Sequence, residues 1–157
     1  MSQEKMKPKD FLELGVLYAR EGRFEEAFRA LRQAMRGYTE ERGNDRLPAH
    51  LLAYYGLCLV VLRQDPPQGL VLCRRAVDEA SNRTEFYWTL GKAYLALRRK
   101  PQAITAFHHG LQIGDDPRLS GELRRLGVRT PPLIPFLSRE NLLNRYLGLW
   151  RAKSRAA

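Results

Sequence analysis

Three glycines, each set inside an apolar helical run and recurring at near-constant intervals, constrain this 157-residue chain more than anything else in it. Around Gly15 the chain reads Phe11-x2-Leu14-Gly15-x2-Tyr18, followed by Ala27-x3-Leu31. Around Gly91 it reads Tyr87-x2-Leu90-Gly91-x2-Tyr94, followed by Ala103-x3-Phe107. A weaker copy lies between them, Leu52-x2-Tyr55-Gly56-x2-Leu59 and then Gly69-x3-Cys73. Glycine inside a helix costs about 1 kcal/mol relative to alanine, so three at equivalent places imply a compensating gain. Close approach of a second helix supplies it, with Ala27, Gly69 and Ala103 as the small residues expected to face Gly15, Gly56 and Gly91. A stack of helical hairpins follows.

These residues resemble the tetratricopeptide repeat (TPR) family, whose pattern is an aromatic, Leu-Gly and Tyr on one helix, then Ala and Phe on the next. The resemblance covers residues 8 to about 115. The middle copy lacks the aromatic at its first position and the Tyr at its fourth, and the glycine intervals are 41 and 35 residues against the usual 34. About seven extra residues therefore sit at the first junction, and Gly37 to Pro48 is the polar stretch that can hold them. The resemblance implies an all-α fold, a right-handed superhelix of antiparallel helix pairs.

Helix breakers place the elements. Pro8 to Glu21, Phe24 to Glu41, Pro48 to Arg63, a helix from the Pro66-Pro67 turn to Ser81-Asn82, one N-capped by Thr84, and one starting at Pro101 make three hairpins. Apolar residues recur at three and four spacing, and no period-two alternation predicts a strand. Asp116-Pro117 opens a short helix with Leu119, Leu123 and Leu126 on one face, and Gly127 ends it. It is expected to cap the last hairpin, which would otherwise expose an apolar side. Residues 1–127 thus form the repeat domain. In residues 128–157, Pro131, Pro132 and Pro135 preclude a regular helix while Leu133, Ile134, Phe136 and Leu137 need burial, so an extended segment followed by an amphipathic helix from Arg139 is expected to pack on the repeats.

The chain carries 27 Lys and Arg against 17 acids, a net charge of +10, and residues 118–157 hold nine of the cations and only two acids. Arg139, Arg145, Arg151 and Lys153 on the last helix make nucleic acid or an anionic membrane surface an alternative partner. Cys58 and Cys73 fall in apolar helical runs without close Cys or His neighbours, the pattern of buried free thiols in a reducing compartment. The first ten residues lack an apolar core, so no secretory leader is expected, and the longest apolar run, Leu51 to Leu62, is too short to span a bilayer. A cytoplasmic location is the expectation.

The inner face of such a superhelix comes from the first helix of each hairpin. Leu12, Val16, Tyr54, Leu57, Trp88 and Lys92 are the candidate partner-binding residues, and the face reads as mostly apolar. Family members that clamp a terminal carboxylate present Lys, Asn and Arg there, so no such clamp is expected. A bare apolar groove would be an interaction site. Its occupant could be a partner peptide, as in the three-repeat chaperones of type III secretion, or residues 131–150 of this chain or a neighbouring copy. Adjacent His108 and His109 point about 100° apart on a helix, and no nucleophile with a base, carboxylate pair or phosphate loop stands out. The expectation is a non-catalytic adaptor or chaperone-like scaffold with no cofactor and no metal, whose partner is another protein or peptide.

Overall fold

The computed structural model describes residues 6–43 and 47–128. Among them are seven helices and no strand: α1 Pro8–Arg20, α2 Phe24–Arg42, α3 Ala49–Val61, α4 Pro66–Glu79, α5 Thr84–Ala96, α6 Lys100–Ile113 and α7 Pro117–Arg125. No helix among the described residues is long and apolar enough to cross a membrane. The chain divides into two compact units, Met1–Leu123 and Arg124–Ala157, and of the second only residues 124–128 are described. The extended segment, the last helix and the self-occupation of the groove weighed from sequence all fall on residues outside the described ones.

Helices pair as α1 with α2, α3 with α4 and α5 with α6, and successive hairpins stack through α2 on α3, α3 on α5 and α4 on α5. The middle helix α3 touches α1, α2, α4 and α5. Its sequence is apolar all round, as a helix enclosed on every side requires, and Leu51, Leu52, Ala53, Tyr54, Leu57, Cys58 and Val60 are buried along it.

Each hairpin closes on its glycine, but the filling differs from the simple small-on-small expectation. A methyl group at Gly15 would lie 2.5 Å from Leu31 Cγ, and one at Gly91 would lie 2.1 Å from Phe107 Cε1. The large side chain one turn beyond Ala27 or Ala103 therefore seats in the glycine notch. Only the central hairpin brings two glycines together. A methyl at Gly56 would come within 2.6 Å of the Gly69 carbonyl oxygen, and one at Gly69 within 2.5 Å of that of Gly56.

The repeats also share a turn. Seven residues after each notch glycine the chain takes a left-handed conformation: Gly22 at φ 79°, Arg63 at φ 55° and Arg98 at φ 59°. The next residue donates its N–H back to the carbonyl three residues after the notch, from Arg23 to Tyr18, Gln64 to Leu59 and Arg99 to Tyr94. This backward bond is the helix-ending motif that a left-handed residue permits.

Boundaries depart from expectation where side chains have other commitments. Thr84 is the first residue of α5, with Arg83 at the cap position. Its hydroxyl donates to Asp116 Oδ2 at 2.9 Å, tying the loop before α7 to the third hairpin. Asp116 also accepts from the Arg118 backbone N–H at 2.9 Å and so starts α7. Leu119 is buried over Gly110 of α6, Leu123 is buried beside it in sequence register, and Leu126 is half-buried.

Candidate functional site

The first helices of the hairpins carry a polar ladder where the sequence reading anticipated a mostly apolar face. Six residues before the three notch glycines stand Lys9, His50 and Glu85. Glu85, on the first turn of α5, is buried. Its Oε1 accepts from Arg20 Nη2 of α1 at 2.5 Å and from the Tyr54 hydroxyl of α3, and Arg20 Nε donates to the same hydroxyl at 3.2 Å. His50 Nε2 of α3 lies 3.4 Å from Glu85 Oε2, and the imidazole meets the buried Phe86 ring edge-on at 4.9 Å. Three hairpins thus converge on one carboxylate.

Burial alone would push the Glu85 carboxyl up, but hydrogen bonds from Tyr54 and Arg20, with their charges, outweigh it and hold Glu85 below the ordinary carboxylate value. Burial and the neighbouring carboxylate push the Tyr54 phenol up to about 12, so it stays a proton donor. The bond to Glu85 raises Arg20 above the usual arginine value.

One turn further along α5, Trp88 is half-buried, with Lys92 Nζ 5.8 Å and the Arg118 guanidinium 5.7 Å from its ring centroid. Both cations have acid partners. Lys92 Nζ lies 3.0 Å from Glu122 Oε1 of α7, and Arg118 Nη2 lies 2.8 Å from Asp116 Oδ2. The capping helix is therefore bolted to the inner face by ion pairs as well as by Leu119.

Next to the ladder, α1 opens into a groove of about 450 Å³. Leu12, Val16 and Leu17 supply its apolar wall, Tyr38 and Pro48 face it from α2 and the start of α3, and its polar lining is the Lys9–Glu13 pair on α1 together with Arg20 and His50. Leu17 is 51% exposed, high for a leucine on a helix whose other face is core.

Of the residues expected from sequence, Leu12 and Val16 meet in this groove. Trp88 and Lys92 belong to the α5–α7 cluster instead. Tyr54 and Leu57 have no exposed surface. They sit on the helix enclosed by four others, and the Tyr54 hydroxyl is committed to Glu85 and Arg20. Arg139, Arg145, Arg151 and Lys153 lie outside the described residues. Sequence reasoning missed Glu85, His50, Arg118 and Leu17. The first two could have been found by reading one turn further upstream of each glycine, where polar residues recur.

No protein-family model matches the sequence. No curated protein matches it either. Solved structures do match by shape. The first TPR of Spaghetti (RPAP3), bound to the HSP90 peptide SRMEEVD, superposes with a TM-score of 0.55 at 20% identity, covering 77% of this chain and 90% of that one. A crystal structure of MamA gives a TM-score of 0.55 at 16% identity over 95% of this chain and 80% of that one. A second MamA structure, MSR-1 C2, gives 0.51 at 16% identity over 100% and 83%.

Proposed function

Since the chain has the tetratricopeptide-repeat fold, we propose that it is a non-catalytic protein-binding scaffold that takes an apolar segment of a partner in the groove along α1. One observation carries this reading: Leu17 stands half in solvent beside Leu12 and Val16 in a cavity large enough for two or three side chains. An apolar wall with a few polar groups beside it, here Lys9, Glu13, Arg20 and His50, is the usual make-up of a recognition site. A structural neighbour that holds a peptide lends further support.

The mode of binding differs from the gripping of a terminal carboxylate. Arg20, Lys92 and Arg118 are each held by an acid of this chain, so no cation among them waits for an incoming carboxylate. Affinity should come from apolar side chains, with Arg20 and His50 setting orientation at the margin.

The test is a random-peptide display library panned against the intact protein. Selected peptides should be rich in large apolar residues, should bind the Leu17→Asp variant roughly tenfold or more weakly, and should bind equally well with amidated C-termini. Leu17 is half-exposed, so the variant keeps its fold and circular dichroism should not change. Peptides that bind Leu17→Asp as tightly as wild type would remove the groove from the mechanism.

A further inference from the structure

We infer that the edge formed by the α3–α4 and α5–α6 turns is a second interaction surface, distinct from the groove, and that it takes an acidic protein segment through Arg63, Arg98, Arg99 and Lys100. All four residues are exposed, and none makes an ion pair or side-chain hydrogen bond among the described residues. Because α3 is antiparallel to α4 and α5 follows antiparallel to α4, α3 and α5 run side by side in one direction. Their C-terminal turns therefore lie on the same edge of the stack, as neighbours, with packed helix axes about 8–10 Å apart.

Two features of this edge run against the interests of the fold. Arg63 and Arg98 occupy left-handed positions, φ 55° and 59°, that the first repeat gives to Gly22. A side chain there is disfavoured. Arg99 and Lys100 stand at the N-terminus of α6, where the Arg99 cap makes no side-chain hydrogen bond and no acid occupies the first turn. Cations are unfavourable at that end of a helix dipole. The equivalent start of α4 is conventional, with Asp65 accepting from the Gln68 N–H. Local rules broken twice at one place, with no internal partner, are expected where function holds the residues.

The composition of the edge selects the partner class. Among the described residues the exposed large apolar side chains, Met6, Leu17, Val71 and Ile113, lie elsewhere, and Leu62 and Leu97 at these turns are half-buried, so the edge lacks the exposed apolar anchors of a lipid-binding surface. No Phe, Tyr or Trp occurs in Leu62–Gln68 or Leu97–Pro101 to stack on unpaired bases. Arginine forks match carboxylates in pairs, and neighbouring turns span three or four residues of an extended chain at about 3.3 Å each. A run of four or more Asp and Glu fits.

The discriminating variant is Arg63→Gly/Arg98→Gly, which removes two charges while relieving both left-handed side chains. Thermal unfolding and fluorescence anisotropy with a labelled deca-glutamate peptide are measured on the full chain at physiological salt. The double variant should melt a few degrees higher than wild type, the direction glycine gives at such positions, and bind the peptide about fivefold or more weakly. Arg29→Gln/Arg36→Gln on α2, with the same loss of charge, should leave affinity within twofold. A lower melting temperature for the glycine variant would make the arginines structural and overturn the proposal. So would equal weakening in both variants, or glycine-variant losses confined to phosphatidylserine vesicles or a single-stranded oligonucleotide run as parallel probes.

Discussion

Glu85 is where residue-scale energetics concentrate, because a buried carboxylate survives only if its partners replace water. Its depressed titration links stability to pH. The group holds its proton less readily when folded than near its ordinary value of 4.5, so its contribution is complete above that pH and is lost as pH falls through the folded-state value. Asp116, held down first by its bonds from Arg118, acts in the same direction. Glu85→Gln should cost about 1–2 kcal/mol at pH 7, the low end for a buried pair because the Arg20 side chain is half-exposed. It should also flatten the fall in Tm below pH 4.5, which a Tm-versus-pH series would show; an unchanged acid slope would relieve Glu85 of this role. At the notches, Gly91→Ala drives a methyl into the buried Phe107 ring and should cost about 1–3 kcal/mol by denaturant unfolding. Combining it with Phe107→Leu should cost less than the two single changes together.

Among the elements, α7 determines whether the last hairpin is covered. Leu119 is fully buried over Gly110, and Leu119→Ala should cost about 2–5 kcal/mol. Because α7 also carries Glu122 and Arg118 to the Trp88 cluster, its loosening should shift Trp88 emission to the red in a Trp150→Phe background. Stability loss without that shift would mean that α7 stays docked by its ion pairs. The helices themselves were legible, since Pro66 and Pro101 fall at the starts of α4 and α6 and the notch glycines mark α1, α3 and α5. Thr84 was not, because a hydroxyl at a helix start looks like a cap whether or not a distant Asp116 claims it. The left-handed Arg63 and Arg98 were equally silent, since arginine is a good helix former and its backbone conformation leaves no mark on composition. The groove was half-read. Periodicity put Leu12 and Val16 on the inner face, but whether a residue there is open or enclosed depends on how many helices surround it, and that separates Leu12 from Leu57.

For the molecule as a whole, Cys58 and Cys73 are built-in reporters of opening. Both are buried free thiols, and burial raises their titration, Cys58 to about 12 and Cys73 further. A thiol-specific reagent at pH 8 should label the native protein slowly, at a rate that rises with denaturant, and label the unfolded chain at once; fast native labelling would contradict the packing of α3 against α4. This measurement bears on the bond from Arg20 to Glu85. Solenoids behave as one-dimensional arrays in which each unit feels only its immediate neighbours, so ends fray first. Here α1 of the first hairpin is tied to α5 of the third, past the second, through a shared carboxylate. Such a skip coupling adds the cost of breaking the Arg20–Glu85 bond to any fraying of α1, and it makes any molecule that pulls on Arg20 from the groove felt two repeats away.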